Sequence, residues 1–264
     1  MNTKSILLGL TVLLAAQIGF AEGSDPMKFG FTADYYSKYI WRGQNLNDES
    51  VLQPSVFLSK YGFTASFWAN QDLTNELDNG GNITEIDYTL DYTTAISGID
   101  GINWSAGVIH YTFPHTGFDS TTEVYAGASL SCTCKGEDKG HCLACLFAPS
   151  FKAYRDVDEI KGTYYQLGVG HTFEKIAKWS DECYCHLALG ASVGYGNAAY
   201  NKGYLLAEEG KFNDLTLTTG LPFCFGNWTL KPSINYSMML SDEVRGNTEN
   251  SDNLWGGLSL SCNF

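Results

Sequence analysis

The segment 254–264 reads LWGGLSLSCNF, and Leu254, Gly256, Leu258, Leu260 and Cys262 alternate along it before it stops on Phe264. A repeat of two residues sends successive side chains to opposite faces, so this is a strand with one apolar face. A last strand of this kind, closed by an aromatic, is how bacterial outer-membrane barrels finish, and barrel-assembly machinery reads it. A soluble sandwich shows the same alternation, so the decision rests on the rest of the chain.

At the other end, MNTKSILLGLTVLLAAQIGFAEG places Lys4 before an apolar run from Ile6 to Ala16, with the small residues Gly19 and Ala21 ahead of Glu22. These are the parts of a secretory signal peptide over residues 1–21, which leaves 22–264 as one outer-membrane β-barrel domain. The run is too short for a spanning helix, and no later segment approaches the roughly 18 continuous apolar residues that one needs. An exported chain folds where thiols are oxidised.

Alternation broken by polar, turn-rich stretches recurs along the whole chain, with no helix-period segment of useful length and no repeat. It predicts strands at 28–41, 51–60, 62–72, 83–94, 102–113, 120–132, 146–156, 162–173, 183–196, 213–224, 227–239 and 253–264. Each has about the 9–11 residues that a tilted strand needs to cross a bilayer. On the fourth, Ile86, Tyr88, Leu90 and Tyr92 alternate with Glu85, Asp87, Thr89 and Asp91. Aromatics sit near the ends of the apolar faces, as interfacial girdles require, while the polar faces carry small residues such as Gly168, Gly190, Ser192 and Gly194, as expected of a lumen. Long acidic connections such as RGQNLNDES and LSDEVRGNTENSDN alternate with tight ones such as KYG and CFGN, except that HTGFDS is short for an outer loop and the Cys132–Cys145 loop and EKIAKWSDE are long for inner turns. Long outside and short inside is the outer-membrane pattern. The expected fold is therefore all-β: a transmembrane antiparallel up-and-down β-barrel of about 12 strands, located in the outer membrane.

This threading puts all eight cysteines on the periplasmic rim. Cys132 and Cys134 end the sixth strand, and Cys142 and Cys145 begin the seventh. Cys183 and Cys185 begin the ninth, Cys224 ends the tenth and Cys262 ends the last. Disulfides are the expected chemistry, with bridges inside the Cys132–Cys145 turn and between Cys224 and either Cys183 or Cys185. A closed loop of that size stabilises on the order of 3 kcal/mol in the chain-entropy model. A zinc site from the four clustered thiols, with His141 adjacent, is the alternative, but the spacer is short for a zinc knuckle.

The inward set near the outer mouth includes Lys38, Arg42, Trp68, Asn70, Asp72, Glu85, Asp87, Glu123, Tyr125 and Asp156, and deeper positions include Asp34, Asp91, Lys152, His186 and Lys231. All of these except Asp156 and His186 are the pore-lining candidates. Charges of both signs in a narrow barrel form either a salt-bridged plug or a constriction that sorts solutes by charge. Acidic residues dominate, matching a net charge of −13, which argues against nucleic acid and for cationic or neutral solutes. His110, His115, Asp119 and Ser120 lack the framing of a catalytic site, so no enzyme activity is expected. Neither a cofactor nor a metal is expected. The partners are the lipid bilayer, the assembly machinery at the last strand and small solutes. A non-conducting barrel with adhesive acidic loops is the alternative.

The segment ADYYSKYIWRGQNL…VLQPSVFLSKYGFTASFWAN resembles the opening of the TorF-like family of outer-membrane porins, most of them uncharacterised. The elements that carry the resemblance are the aromatic-Arg-Gly turn Trp41-Arg42-Gly43, the strand Pro54 to Leu58 and the hairpin Gly62 to Trp68. TTEVYAGASL and DVDEIKGTYYQLGVGHTF look like later hairpins of the same sort. The match is clear over the first hundred residues or so, and the eight cysteines are not part of the family pattern. The resemblance implies a barrel and suggests transport.

Overall fold

The computed structural model describes residues 26–134 and 142–264. The expected signal peptide and His141 lie outside the described residues. The strands are β1 (Lys28–Tyr36), β2 (Tyr39–Trp41), β3 (Gln44–Asn47), β4 (Val51–Lys60), β5 (Phe63–Asp72), β6 (Ile83–Ala95), β7 (Ile102–Thr112) and β8 (Thr121–Leu130). They continue as β9 (Ser150–Asp156), β10 (Thr163–Lys178), β11 (Cys183–Gly196), β12 (Lys211–Gly220), β13 (Phe223–Phe225), β14 (Trp228–Met239) and β15 (Asp252–Asn263). Three short helices interrupt them: α1 (Leu143–Phe147), α2 (Ala198–Tyr204) and α3 (Asp242–Asn247).

Neighbours in sequence pair antiparallel, and β1 pairs with β15 to close the ring. Because β13 resumes β12 beyond Pro222, the wall is a closed barrel of 12 strands. Closure gives every strand of the wall a neighbour on both sides, as a hydrocarbon environment demands. The segment 254–264 makes the seam: Phe31 lies opposite Cys262, Ala33 opposite Leu260 and Tyr35 opposite Leu258. Phe264 then donates its N–H to the Phe29 carbonyl at 2.8 Å, and the two rings stack at 6.2 Å.

The exterior is apolar. Ile234 and Leu254 are each 65% exposed, and Leu58, Leu90, Leu167 and Leu217 continue the band on other strands. An apolar surface of this extent marks a partner, and around a closed barrel that partner is lipid. Rings edge the band. Phe63, Tyr92 and Trp104 meet at 4.6 and 5.6 Å near one rim, and Tyr165, Tyr195 and Phe212 at 6.1 and 5.5 Å near the other. The chain is thus a membrane-spanning barrel of the outer-membrane type.

The rim that holds Phe29 and Phe264 also holds the tight turns. At one of them Tyr61 (φ 52°) and Gly62 (φ 83°) are both left-handed, the two-residue hairpin turn that matches strand twist. All eight cysteines lie at this end. Cys132 and Cys145 are joined by a disulfide. The expected bridge from Cys224 to Cys183 or Cys185 is absent, and the register gives the reason. Cys224 stands opposite Tyr184, whereas Cys183 and Cys185 stand opposite Phe225 and Phe223, so Cys224 projects from the other face of the sheet. Cys262 is buried where Phe31 and Trp228, its neighbours on the two flanking strands, meet edge to face at 5.6 Å.

Three expectations need correction. The first strand ends at Tyr36, not at residue 41, because Ser37 turns the chain: its Oγ accepts from Gly256 N at 3.1 Å. The alternation of Tyr39 and Trp41 belongs to a separate hairpin of β2 and β3, since a period of two is the same in a wall strand and a folded-in one. The seventh strand starts at Ser150 because α1 precedes it, and α2 and α3 form in long connections where no helix was expected. Side chains cap those two: Asn197 accepts from Tyr200 N and Ser241 from Val244 N. Finally, an inward glycine such as Gly194 makes room for a side chain, because a Cβ there would stand 2.0 Å from the Tyr164 hydroxyl oxygen.

Candidate functional site: the closed outer half of the lumen

The β2–β3 hairpin folds into the barrel mouth. Its turn residues Arg42 (φ 47°) and Gly43 (φ 79°) are left-handed, the two-residue turn that joins adjacent strands. Gly43 also needs its missing side chain, because a Cβ would meet Asp214 Cβ at 2.5 Å. The hairpin is tied to the wall along its length. Tyr39 donates to Glu85 at 2.8 Å, Asn47 to Asp72 at 2.9 Å and Asn45 to Asn253 at 2.9 Å. At its base Lys38 pairs with Asp48, and two hydrogen bonds, first from Lys38 and then from Asn45, hold the Asp48 carboxyl below its ordinary range.

Arg42 sits at the centre. Nη1 and Nη2 donate to the two Glu123 carboxylate oxygens at 2.9 and 2.7 Å, and both side chains are nearly sealed from solvent. The guanidinium carbon lies 4.4 Å from the ring centre of Tyr164, 4.5 Å from Trp41, 4.6 Å from Tyr154 and 5.6 Å from Tyr200. A flat, weakly hydrated cation with in-plane donors suits both a carboxylate fork and aromatic faces. Tyr111 adds a third donor to Glu123 at 2.8 Å.

The surrounding wall and α2 repeat one arrangement, a tyrosine hydroxyl donating to a carboxylate. Tyr164 serves Asp214 at 2.8 Å, Tyr125 serves Asp91 at 2.5 Å, and Tyr204 serves Asp156 at 3.2 Å. Buried carboxylates are costly unless hydrogen-bonded, and these rings supply the donors. A continuous buried apolar cluster packs beside Arg42, drawing Tyr36, Trp68 and Trp255 from the wall, Tyr200 from α2 and Val244 from α3.

The remaining candidates fall at stated places. Trp68 meets Tyr39 at 5.8 Å. Asn70 accepts from Gln53 at 2.9 Å and donates to Thr84 at 2.9 Å. Asp72, Glu85, Asp87 and Glu123 are buried on the wall. Lower down, Lys152 lies over the Tyr125 ring at 4.7 Å, and Asp34 is separated from Lys231 by Ser259, which faces each of them across a ladder. Lys38 is off the wall, at the hairpin base with Asp48. Tyr39, Trp41, Tyr111, Tyr154, Tyr164, Tyr200 and Asp214 are not among the candidates legible in the sequence. Their only local signal was polar-face parity, shared by Tyr111, Tyr154, Tyr164 and Asp214.

The two histidines near the outer end of β7 each have a partner on a neighbouring strand. His110 is hydrogen-bonded to Thr122 at 3.0 Å and His115 to the Ile83 carbonyl at 3.0 Å. Among the described residues one group has metal-ligand spacing, Cys134, Cys142 and Cys145, whose sulfurs lie within 4.8 Å of one another. The Cys145 sulfur is already bonded to Cys132, which leaves two thiols where a structural zinc site uses four ligands.

No family model matches the sequence, and no curated protein does. Solved structures do resemble it. The COG4313 outer membrane channel from Pseudomonas putida F1 superposes with a TM-score of 0.50 at 9% identity, over 92% of this chain and 97% of that one. LpxR from Salmonella typhimurium gives 0.50 at 6% identity, over 89% and 99%. The NanC porin gives 0.49 at 11% identity, over 89% and 98%. At these identities the likeness concerns the fold: nearly the whole chain is similar to outer-membrane barrels, a channel among them.

Proposed function

We propose that this barrel is a narrow channel for small cationic or neutral solutes, closed in its outer half by the β2–β3 hairpin. One observation carries the reading. In the inner half the inward side chains of Asp91, Lys152 and Lys231 keep contact with solvent, whereas Asp72, Glu85 and Asp214 nearer the mouth are buried. Polar side chains that solvent reaches inside a closed barrel line a water-filled space, so the lumen reads as an aqueous vestibule in its inner half, below the packed outer half. Its wall favours cations, since Asp34, Asp72, Asp87 and Asp214 are buried there beside few basic groups. On this reading the wall candidates named above line the path, the TorF-like resemblance marks a porin family, the last strand engages the assembly machinery, and the chain is no enzyme.

The buried apolar cluster beside Arg42 favours a second reading, a non-conducting barrel with acidic surface loops. Planar-bilayer recording separates the two. We expect small, cation-preferring currents from the folded protein, and larger ones when residues 38–47 are replaced by a short glycine-serine link. Silence from both forms rejects the channel.

A further inference from the structure

Most of the cage around Arg42 belongs to the wall. Glu123 stands on β8, Tyr111 on β7, Tyr154 on β9 and Tyr164 on β10, four consecutive strands of the ring. These groups are held by the sheet, whatever the hairpin does. The hairpin contributes only Trp41 and the occupant itself. The wall therefore carries a preformed receptor: a buried carboxylate presenting both oxygens in one plane, steadied by Tyr111 and flanked by two tyrosine faces. Two parallel N–H···O bonds and ring stacking select a planar guanidinium over an ammonium, which offers neither a fork nor a flat face.

We propose that this cage is a binding subsite for guanidinium-bearing solutes, with Arg42 as its tethered occupant. An alkylguanidine arriving from the mouth takes the Glu123 fork and the Tyr154 and Tyr164 faces as the Arg42 side chain leaves them. The exchange keeps the charge of the buried carboxylate compensated at its end point, which withdrawal of the hairpin alone does not. Passage of such a solute rests on the channel reading above; binding does not.

The test uses the full chain, purified and folded, with ethylguanidinium as the probe. Arg42→Ala vacates the cage, and Trp41 beside it reports occupancy by its emission. We expect saturable quenching at millimolar probe, at least tenfold tighter in R42A than in the wild type, where Arg42 competes. The double variant R42A/E123Q loses it, and tetraethylammonium at equal concentration does not reproduce it. Should R42A reach its heat-modifiable folded form poorly, refolding it with ethylguanidinium restores the folded band, whereas equal sodium chloride does not. No quenching and no rescue, or equal quenching with Glu123 removed, overturns the proposal. Binding without bilayer current would leave the subsite standing and remove the channel.

Discussion

Arg42 and Glu123 are 81 positions apart in the chain, yet they meet through two hydrogen bonds of 2.9 and 2.7 Å in a space almost closed to solvent. A surface ion pair contributes little to stability, but a buried one broken on one side leaves an uncompensated charge. Glu123→Gln leaves the guanidinium in that position. The variant should lose roughly 3 kcal/mol or more. The readout is the temperature at which the folded band is lost in heat-modifiability gels; an unchanged midpoint rejects the pair as the anchor of the hairpin.

The hairpin tip has no room for a side chain at Gly43, and its φ of 79° disfavours one as well. Gly43→Ala should push the tip away from Asp214 and loosen Arg42. Limited proteolysis of the folded protein should then cut within 38–47 several times faster than in the wild type. Equal rates would mean that the tip does not depend on this close approach.

Selectivity should follow the lower wall. Asp34→Asn removes a negative charge and Lys231→Gln a positive one, at sites joined through Ser259. In a salt gradient the first should move the reversal potential toward anions and the second toward cations. Shifts of the same sign, or none, would place the path elsewhere.

The cysteines give a chemical map of the inner rim. Without reductant, Cys132 and Cys145 should resist alkylation as a disulfide, and opening it should lower stability by about 3 kcal/mol. Cys142 should react first, because its hydrogen bonds, the one from Cys134 ahead of the backbone ones, hold its thiol below the ordinary range. Cys262 should stay protected until Trp228→Ala removes one of the rings over it. Mass spectrometry of the labelled peptides decides each case.

The clip between Lys38 and Asp48 should respond to acid. The Asp48 carboxyl is held below its unfolded-state range, so the clip is fully present above that range and is lost as the pH falls through the depressed value. Proteolysis within 38–47 should be steady from neutral pH to mildly acidic conditions and should rise only below the ordinary carboxylate range. Asp48→Asn should abolish that rise. The effect on overall stability is small, because both partners touch solvent.

The sequence alone determined the ring. Alternation is imposed by the pleat of each strand, a local property, so LWGGLSLSCNF and its counterparts revealed the strands, the lipid-facing side and the rim that carries the cysteines. Connection lengths separated the rim of tight turns from the rim of long loops. Tertiary structure alone decided what fills the ring. That Tyr39–Asn47 leaves the wall, that Arg42 meets Glu123, that Tyr164 serves Asp214 and that Cys224 turns away from Cys183 all depend on register and closure. Those contacts join strands and loops far apart in the chain, and they arise only when twelve locally similar strands take one pairing and bring opposite walls within reach of a single side chain.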